Sequence, residues 1–334
     1  MNDRNYSHLE YLMQLTYGYW KSCILFTAVE FDIFTLIRKG KHTVDEISQS
    51  VHTDKRATEM FLNALVSLDL LAKQADRYDN SPVSDLYLVK GNPYYQGDFI
   101  HHFHNMMDNW AMLRETIETG KPISLKDLPE EVDPHDLRDF ITAMHNIGSV
   151  KAKDLWEKVD PGKAKTLLDI GGGPGTYSVA CVKANSGIRA VVFDLDHVLK
   201  LTREFIRAAG VEDRVSTQAG NCLEDRFGEN AYDAILVSNL LHIYSPENNV
   251  KILRKCRDAL REGGQVIIHE FLLDEARTHP QFAALFSLNM LIGTQEGASY
   301  TESEHRVWLE EAGFTDIKRI DLAYNSSVIT GKKS

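Results

Sequence analysis

The sequence predicts an α/β protein in which a mostly helical N-terminal part precedes a parallel sheet covered by helices on both faces. Up to about residue 155, apolar residues recur at helical spacing, whereas from residue 164 short apolar strands alternate with helical segments. A glycine-rich turn at 171–175 directly follows the first of these strands. In sheets of this kind, ligands bind outside the carboxyl ends of the strands.

The composition is that of an ordinary globular protein. The 334 residues are 43% hydrophobic and 25% charged, and this length allows two domains. A net charge of -11 disfavours nucleic-acid binding. Neither an apolar run of ~18 residues nor a basic and apolar leader is present, so we expect no membrane contact and no secretion.

Cysteine usage also limits the class of protein. None of Cys23, Cys181, Cys222 and Cys256 lies in a Cys-x-x-Cys pair. This argues against a thiolate zinc site or a disulfide scaffold and favours a reducing cytoplasm.

The N-terminal part has the element order of a winged-helix module. A helical stretch over 11–37 is followed by a helix whose start, Thr43 with Glu46, is a capping box. A third helix over 54–68 precedes a short β-ribbon at 71–81. DNA binding is one function of such modules, but this chain lacks a basic footprint. We therefore favour a packing or dimerising role.

Three histidines in the next helical stretch raise the question of a metal site. His101, His102 and His104 do not all share one helix face, and no acidic residue has a suitable offset. The sequence therefore predicts no metal ligands here.

The remaining chain predicts the sheet. Five strands are separated by helical segments, and a final pair joined by Tyr324 and Asn325 reads as a hairpin that adds one antiparallel strand. The predicted strands are 165–171, 189–195, 214–220, 232–238 and 264–271, with the hairpin at 314–323 and 326–332.

The glycine-rich turn does not match the dinucleotide fingerprint G-x-G-x-x-G. Counted from Gly171 the third glycine position is Thr176, and counted from Gly172 the second is Pro174. The pattern is instead Asp-x-Gly-Gly-Gly-x-Gly and begins at Asp169. The carboxylate of an aspartate would repel a pyrophosphate but attract an ammonium group. This favours S-adenosylmethionine, which carries an ammonium group and no phosphate, as the ligand.

The ends of the next two strands fit the same ligand. Asp194 lies about twenty residues past the glycines, where an acid accepts hydrogen bonds from ribose hydroxyls. The third strand ends in Ala219, Gly220 and Asn221. A structural turn in an unrelated α/β domain is the alternative.

A histidine follows the fourth strand. His242 lies just outside the strand end, where it is placed to remove a proton from a hydroxyl group. A phenol with an ordinary pKa near ~10 is scarcely ionised at neutral pH, so methyl transfer to it needs a base. Glu270 ends the next strand on the face opposite to His269, and it could hold the His242 tautomer. A capping or surface role is the alternative for Glu270.

These motifs, together with "LLHIYSPE", "IHEFLLDE" and "SLNMLIGTQEG", resemble the two-domain small-molecule O-methyltransferases. That family includes caffeate-type and acetylserotonin enzymes and bacterial enzymes that tailor polyketides and pigments. The resemblance implies a Rossmann-like seven-stranded methyltransferase sheet at 101–334, with linking helices at 101–160. It also implies a winged-helix dimerisation domain at 1–100, and therefore a homodimer.

The resemblance assigns roles by position. It makes His242 the general base, Glu270 its partner and 171–175 the methionine cradle. The residues expected to bind the cofactor are Asp169, Gly171, Gly172, Gly173, Gly175, Asp194, Leu195, Asn221, Cys222 and Ser238.

Three positions at the expected cofactor site, and one near the C-terminus, depart from the family pattern. Asn221 and Cys222 stand where the family usually has Asp-Phe, and Ser238 stands where it has a lysine. A second family glutamate near the C-terminus is absent before Tyr300 and Thr301. The first departures bear on cofactor affinity, and the last leaves Glu270 as the single acid beside the base.

The function expected is that of a cytoplasmic, homodimeric O-methyltransferase that uses no metal. The acceptor is a hydroxylated aromatic or polycyclic small molecule, bound in a pocket between the domains. Carbon- or nitrogen-methylating enzymes of the same fold and a winged-helix metabolite sensor are the alternatives. Residues expected to line the pocket are Trp110, Met144, Asn289 and Met290, with core packing as the rival role for the two methionines.

Overall fold

The computed structural model describes residues 3–123 and 133–334. The chain divides into two compact units, Met1–Met106 and Met107–Ser334. The sequence-derived domain limits of 1–100 and 101–334 stay a prediction.

The N-terminal unit combines helices with an antiparallel ribbon and has its own core, which includes Phe34, Ile47, Leu62 and Tyr78. The helices are α1 (Asp3–Thr16), α2 (Gly18–Glu30), α3 (Ile33–Arg38), α4 (Val44–Val51), α5 (Lys55–Ser67), α6 (Pro82–Tyr87) and α7 (Gly97–Asn105), and the ribbon is β1 (Leu71–Gln74) with β2 (Arg77–Asn80).

Local sequence explains where these helices begin and end. The helical stretch predicted over 11–37 is divided, because Tyr17 and then Asp32 leave helical geometry; Asp32 has a φ of 55°. The predicted capping box is confirmed. Thr43 Oγ1 accepts from the Glu46 N–H at 3.3 Å, and Glu46 Oε2 accepts from the Thr43 N–H at 3.0 Å.

The C-terminal unit is built on a sheet. Its helices are α8 (Met107–Ala111), α9 (Leu113–Thr119), α10 (Pro134–Lys158), α11 (Thr176–Ala184), α12 (Asp196–Ala208), α13 (Pro246–Ala259), α14 (Gln281–Gly293) and α15 (Glu302–Glu311). Its strands are β3 (Thr166–Ile170), β4 (Arg189–Asp194), β5 (Val215–Ala219), β6 (Tyr232–Ser238), β7 (Leu260–Glu270), β8 (Phe314–Asp321) and β9 (Ser327–Lys333).

The strand order places a crevice beside β3. Among the described residues the sheet has seven strands in the order β5-β4-β3-β6-β7-β9-β8. The pairs from β5 to β7 are parallel, and β9 pairs antiparallel with β7 and β8. This confirms the predicted sheet and its hairpin. The strand order reverses beside β3, because successive strands are added on one side from β3 to β5 and then on the other side from β6. Such a switch point opens a binding crevice at the carboxyl ends of the strands.

At the amino ends of the strands, the Asp233 side chain, near the start of β6, links β6 to the first residues of β3 by hydrogen bonds. We call this group of bonds the Asp233 clamp. Asp233 Oδ2 accepts from the backbone N–H groups of Lys165 (2.8 Å) and Thr166 (2.9 Å) and from Thr166 Oγ1 (3.0 Å). Arg261 Nη1 donates to Oδ1 at 2.7 Å. Partial burial opposes ionisation of Asp233, but the Arg261 and backbone bonds outweigh it and lower its pKa to about 2.

This clamp makes stability depend on pH in a defined window. Because the pKa of Asp233 is lower in the folded chain, its contribution is present above about pH 4 and is lost as pH falls toward 2. Asp233→Asn is expected to lower the free energy of unfolding by about 1–2 kcal/mol at pH 7. Urea unfolding measures this, and the difference in free energy of unfolding between the parent and Asp233→Asn should become smaller below pH 4. A difference that stays constant from pH 7 to pH 3 would contradict the proposed role of Asp233.

Candidate active site

The glycine-rich turn forms a backbone cradle above β3. Gly171, Gly173 and Gly175 have φ values of +63°, +53° and +74°, which favour glycine. A Cβ on Gly172 would lie 2.8 Å from both Asp169 Cγ and Val192 Cγ1, so that position is limited by space. The turn ends at the N-terminus of α11, where backbone N–H groups remain available to a ligand.

Asp169 lies beneath the cradle and is fully buried. Ser178 Oγ donates to its Oδ2 at 2.7 Å, whereas Oδ1 has no hydrogen-bond partner among the described residues. Burial raises the pKa of Asp169 to about 7. A cation placed at Oδ1 would satisfy this oxygen and restore the ionised form.

Asp194 is fixed at the end of β4. Its Oδ2 accepts from the Gly173 N–H at 2.8 Å and its Oδ1 from the Leu195 N–H at 2.7 Å. Burial raises its pKa, and these backbone bonds oppose that rise. Each oxygen keeps a second lone pair for a ligand hydroxyl. Leu195 packs beside α10 in a small apolar cluster with Leu137 and Ile141.

The three positions that depart from the family pattern are engaged locally. Asn221 Oδ1 accepts from the Leu223 N–H at 2.8 Å, so one of its lone pairs serves a turn. The buried Cys222 Sγ lies 3.3 Å from the Tyr244 hydroxyl. Ser238 Oγ lies 2.9 Å from His269 Nδ1, on the face of the sheet away from Glu270.

His242 and Glu270 form a buried pair at the ends of β6 and β7. His242 Nδ1 lies 2.7 Å from Glu270 Oε2, and the residues are 8% and 3% exposed. Burial alone would raise the pKa of Glu270, but its contacts with His242 outweigh that effect and lower the pKa. The ionised carboxylate can only accept, so the proton lies on Nδ1 and Nε2 is left as the basic nitrogen.

The loop that carries His242 is held on several sides. Glu270 Oε1 accepts from the backbone N–H of Leu241 at 2.9 Å, so one side chain fixes both the loop and the imidazole. Asn249 Nδ2 donates to the carbonyl of Leu241 at 3.0 Å, and the Ala298 N–H donates to that of His242 at 2.9 Å. The 3₁₀ turn Leu241–Ile243 is therefore preorganised.

Sequence reasoning missed an aromatic group beside the base. The Phe286 ring meets His242 edge to face at 4.9 Å, and Phe271 lies 5.0 Å from Phe286 and 4.9 Å from Phe282. The apolar sequence of α14 does not reveal which ring meets the imidazole. Such rings provide an apolar wall for a flat ligand.

The residues predicted to line an acceptor pocket are only partly brought together. Trp110 Nε1 donates to Asn289 Oδ1 at 3.1 Å, so α8 and α14 meet there. Met290 follows on α14 and is buried. Met144 is half-buried on a different helix, α10.

These groups fit S-adenosylmethionine. The glycine cradle carries no side chains above β3, which leaves room for a ligand. Asp169 Oδ1, which has no hydrogen-bond partner among the described residues, suits a cation. Asp194 presents oxygens suited to ribose hydroxyls. Within 3–123 and 133–334, no group of three or more His, Cys, Asp or Glu is arranged to hold a metal ion.

Comparison with known families decides the class of protein. The sequence model of an O-methyltransferase domain matches residues 128–315, and that of an O-methyltransferase dimerisation domain matches residues 13–90. The chain belongs to the O-methyltransferase family. Its resemblance to two-domain O-methyltransferases, predicted from the motifs, is thereby confirmed.

Individual relatives match this O-methyltransferase along nearly its whole length. It is 32% identical to a 3-hydroxy-5-methyl-1-naphthoate 3-O-methyltransferase of Streptomyces sahachiroi, over 97% of this chain and 95% of the relative. It is 30% identical to the N,N-dimethyltransferase OxyT of Streptomyces rimosus, over 96% of each. The crystal structure of human N-acetylserotonin methyltransferase with S-adenosylmethionine shares the fold, with a TM-score of 0.90, 24% identity and coverage of 100% and 99%. In the described parts of the chain, no helix is long and apolar enough to cross a membrane.

The contacts around Gly172 predict a size limit in the cradle. Gly172→Ala is expected to lower the free energy of unfolding by about 1–3 kcal/mol, because its Cβ would overlap the buried Asp169 and Val192 side chains. Gly187→Ala is the matched control, since no atom lies within 4 Å of its Cβ position. Chemical denaturation measures both, and equal effects would show that the cradle has room.

The burial of Asp169 predicts a second pH dependence. Because its folded-state pKa is raised to about 7, the folded chain binds more protons than the unfolded chain between about pH 4 and 7. The contribution of Asp169 to ligand-free stability therefore falls as pH rises through that range. Asp169→Asn should be more stable than the parent at pH 8.5 and lose most of that advantage by pH 5. Urea titrations at the two values measure this, and an advantage independent of pH would contradict it.

Proposed function

We propose that this O-methyltransferase moves the methyl group of S-adenosylmethionine to a hydroxyl of a small aromatic or polycyclic acceptor, with His242 as general base. The observation that carries the proposal is the buried contact of 2.7 Å between His242 Nδ1 and Glu270 Oε2. It leaves a basic nitrogen beside the crevice where the family binds its cofactor.

The cofactor would lie across the switch point of the sheet. Gly171, Gly172 and Gly173 would face its methionine part, Asp169 its ammonium group and Asp194 its ribose hydroxyls. Leu195, Asn221, Cys222 and Ser238 would complete the contacts around the adenosine and the strand ends. When bound, S-adenosylmethionine supplies an electrophilic methyl group on a positively charged sulfur.

The proton and the methyl group would move in one step. His242 Nε2 would accept the hydroxyl proton as the acceptor oxygen takes the methyl group, and S-adenosylmethionine, having supplied that group, would leave as S-adenosylhomocysteine. Glu270 stabilises the imidazolium formed, since its carboxylate already accepts from Nδ1–H. Proton removal of this kind contributes typically ~10²–10⁴-fold to the rate.

Positioning would supply the larger part of the rate enhancement. Holding two reactants in attack geometry is worth up to ~7–11 kcal/mol in favourable cases. The preorganised loop of His242 and the ring of Phe286 are suited to that role.

An aromatic acceptor is supported by the side chains near the base and by a relative. Phe271, Phe282 and Phe286 form one group with His242. Trp110 on α8 bonds to Asn289 on α14, the helix that also carries Phe282 and Phe286. The relative from Streptomyces sahachiroi is named for a hydroxynaphthoate acceptor. Met144 and Met290 would add to an apolar pocket wall.

We also propose a homodimer formed through the N-terminal unit. Residues 13–90 match the dimerisation domain of the family. The first two helices expose large apolar side chains, each at least half exposed: Leu9, Leu12, Met13, Leu15, Tyr19 and Trp20. Exposed apolar side chains that form a large patch are typical of protein–protein interfaces.

A reducing cytoplasm is the proposed location. Cys23, Cys181, Cys222 and Cys256 are all free, and three of them are buried. Free buried thiols are typical of intracellular proteins.

Methyl transfer to nitrogen is the second candidate, because the relative from Streptomyces rimosus is an N,N-dimethyltransferase. The His242–Glu270 pair favours oxygen, since a hydroxyl must lose its proton whereas a neutral amine already offers a lone pair.

The proposed base predicts a large loss of turnover without loss of cofactor binding. Purified enzyme is incubated with methyl-labelled S-adenosylmethionine and paired phenols and anilines. His242→Gln should lower turnover with the phenol by ~10²–10⁴-fold. Glu270→Gln should also lower it strongly, because a glutamine amide N–H facing Nδ1 would place the imidazole proton on Nε2. Calorimetry should give unchanged affinity for S-adenosylhomocysteine in both variants.

The control is His279→Gln, which changes an exposed histidine paired with Asp274. It should retain full turnover. Turnover of His242→Gln within about threefold of the parent, with cofactor binding intact, would remove the base from the proposal. Labelled anilines without labelled phenols would favour the nitrogen acceptor.

A further inference from the structure

One charged side chain near the crevice, that of Lys151, has no role in the mechanism above. Lys151, on α10, is only 9% exposed. Among the described residues its ammonium makes no ion pair, and its recorded contact is with the face of the Phe271 ring, 4.5 Å from Nζ to the centroid. Burial lowers the pKa of Lys151 to about 8. A buried and unpaired ammonium is costly, so its position calls for an anion.

The chain's own carboxylates near Lys151 are committed elsewhere. Asp154, one turn further along α10, accepts from the Ala323 N–H at 2.8 Å and pairs with Lys158 at 3.3 Å. Glu270 is bound to His242. The positive charge of Lys151 acts on His269 instead. Burial, and to a smaller extent the charge of Lys151, lower the pKa of His269 to about 3.

The neighbours of Lys151 place it at the carboxyl ends of β6 and β7, near the start of α11. His269 bonds to Ser238 at the end of β6 and meets the Tyr177 ring at 5.5 Å. One turn before Lys151, a Cβ on Gly148 would lie 3.5 Å from Thr176, at the start of α11. Helix α10 therefore packs against the start of α11 and carries Lys151 to the ends of β6 and β7.

We propose that Lys151 binds the methionine carboxylate of S-adenosylmethionine. This inference rests on the proposed function, since it assigns a contact to that cofactor. Asp169 and Asp194 supply the negative groups of the crevice, and Lys151 supplies the positive group that a zwitterionic amino-acid end requires.

Paired ligands test this assignment without measuring activity. Calorimetry compares S-adenosylhomocysteine with 5′-methylthioadenosine, which lacks the amino-acid end. Lys151→Met should weaken S-adenosylhomocysteine by ~10-fold or more, the value of a charge-assisted hydrogen bond, and leave 5′-methylthioadenosine within twofold. Lys151→Arg should restore part of the loss. Lys153→Met is the matched control, because Lys153 lies on the same helix but is exposed and pairs with Glu157.

Other results of the binding measurements would overturn either the assignment of Lys151 or the proposed function. Unchanged affinity of Lys151→Met for S-adenosylhomocysteine would overturn the assignment, and if turnover of carboxylated acceptors alone then falls, the lysine serves the acceptor. Equal weakening of both ligands would show a structural role and would also overturn it. Failure of the parent enzyme to bind S-adenosylhomocysteine would instead overturn the proposed function.

Discussion

The bond between His242 and Glu270 is the interaction on which the site depends. One carboxylate accepts from the imidazole Nδ1–H and from the backbone of Leu241, so it sets the tautomer and the loop together. Both residues are buried, where such charge-assisted bonds are strong and an unpaired partner is costly. The base is therefore positioned by the last residue of β7, a central strand, and not by a mobile surface loop.

The rest of the C-terminal unit gives this pair a place to act. The reversal of strand order beside β3 opens the crevice, and the glycines of the turn leave room above it. Asp169 and Asp194 are the acidic side chains of the crevice. The cost is visible in Asp169, whose burial raises its pKa to about 7 and leaves one oxygen unpaired. A site that binds a cation keeps such unfavourable features when no ligand is present.

Sequence periodicity and spacing predicted most of the fold. Strand ends at Asp169, Asp194 and Glu270 were predictable because buried strands read as short apolar runs and the chemistry follows them. The breaks in the N-terminal helices were not, because Asp32 adopts a left-handed conformation that propensity does not reveal. Phe286 and Lys151 were missed because their neighbours come from elements distant in sequence. The local bond that engages Asn221 also depends on turn geometry.

The tautomer of His242 is the most direct test of the central claim. Nitrogen-15 NMR of the imidazole, assigned by comparison with His242→Gln, distinguishes the two nitrogens once the ring is neutral. Nδ1 should carry the proton, bonded to Glu270, and Nε2 should be unprotonated. A neutral ring with its proton on Nε2 would rule out His242 as the base, because that nitrogen could not then accept a proton from the acceptor.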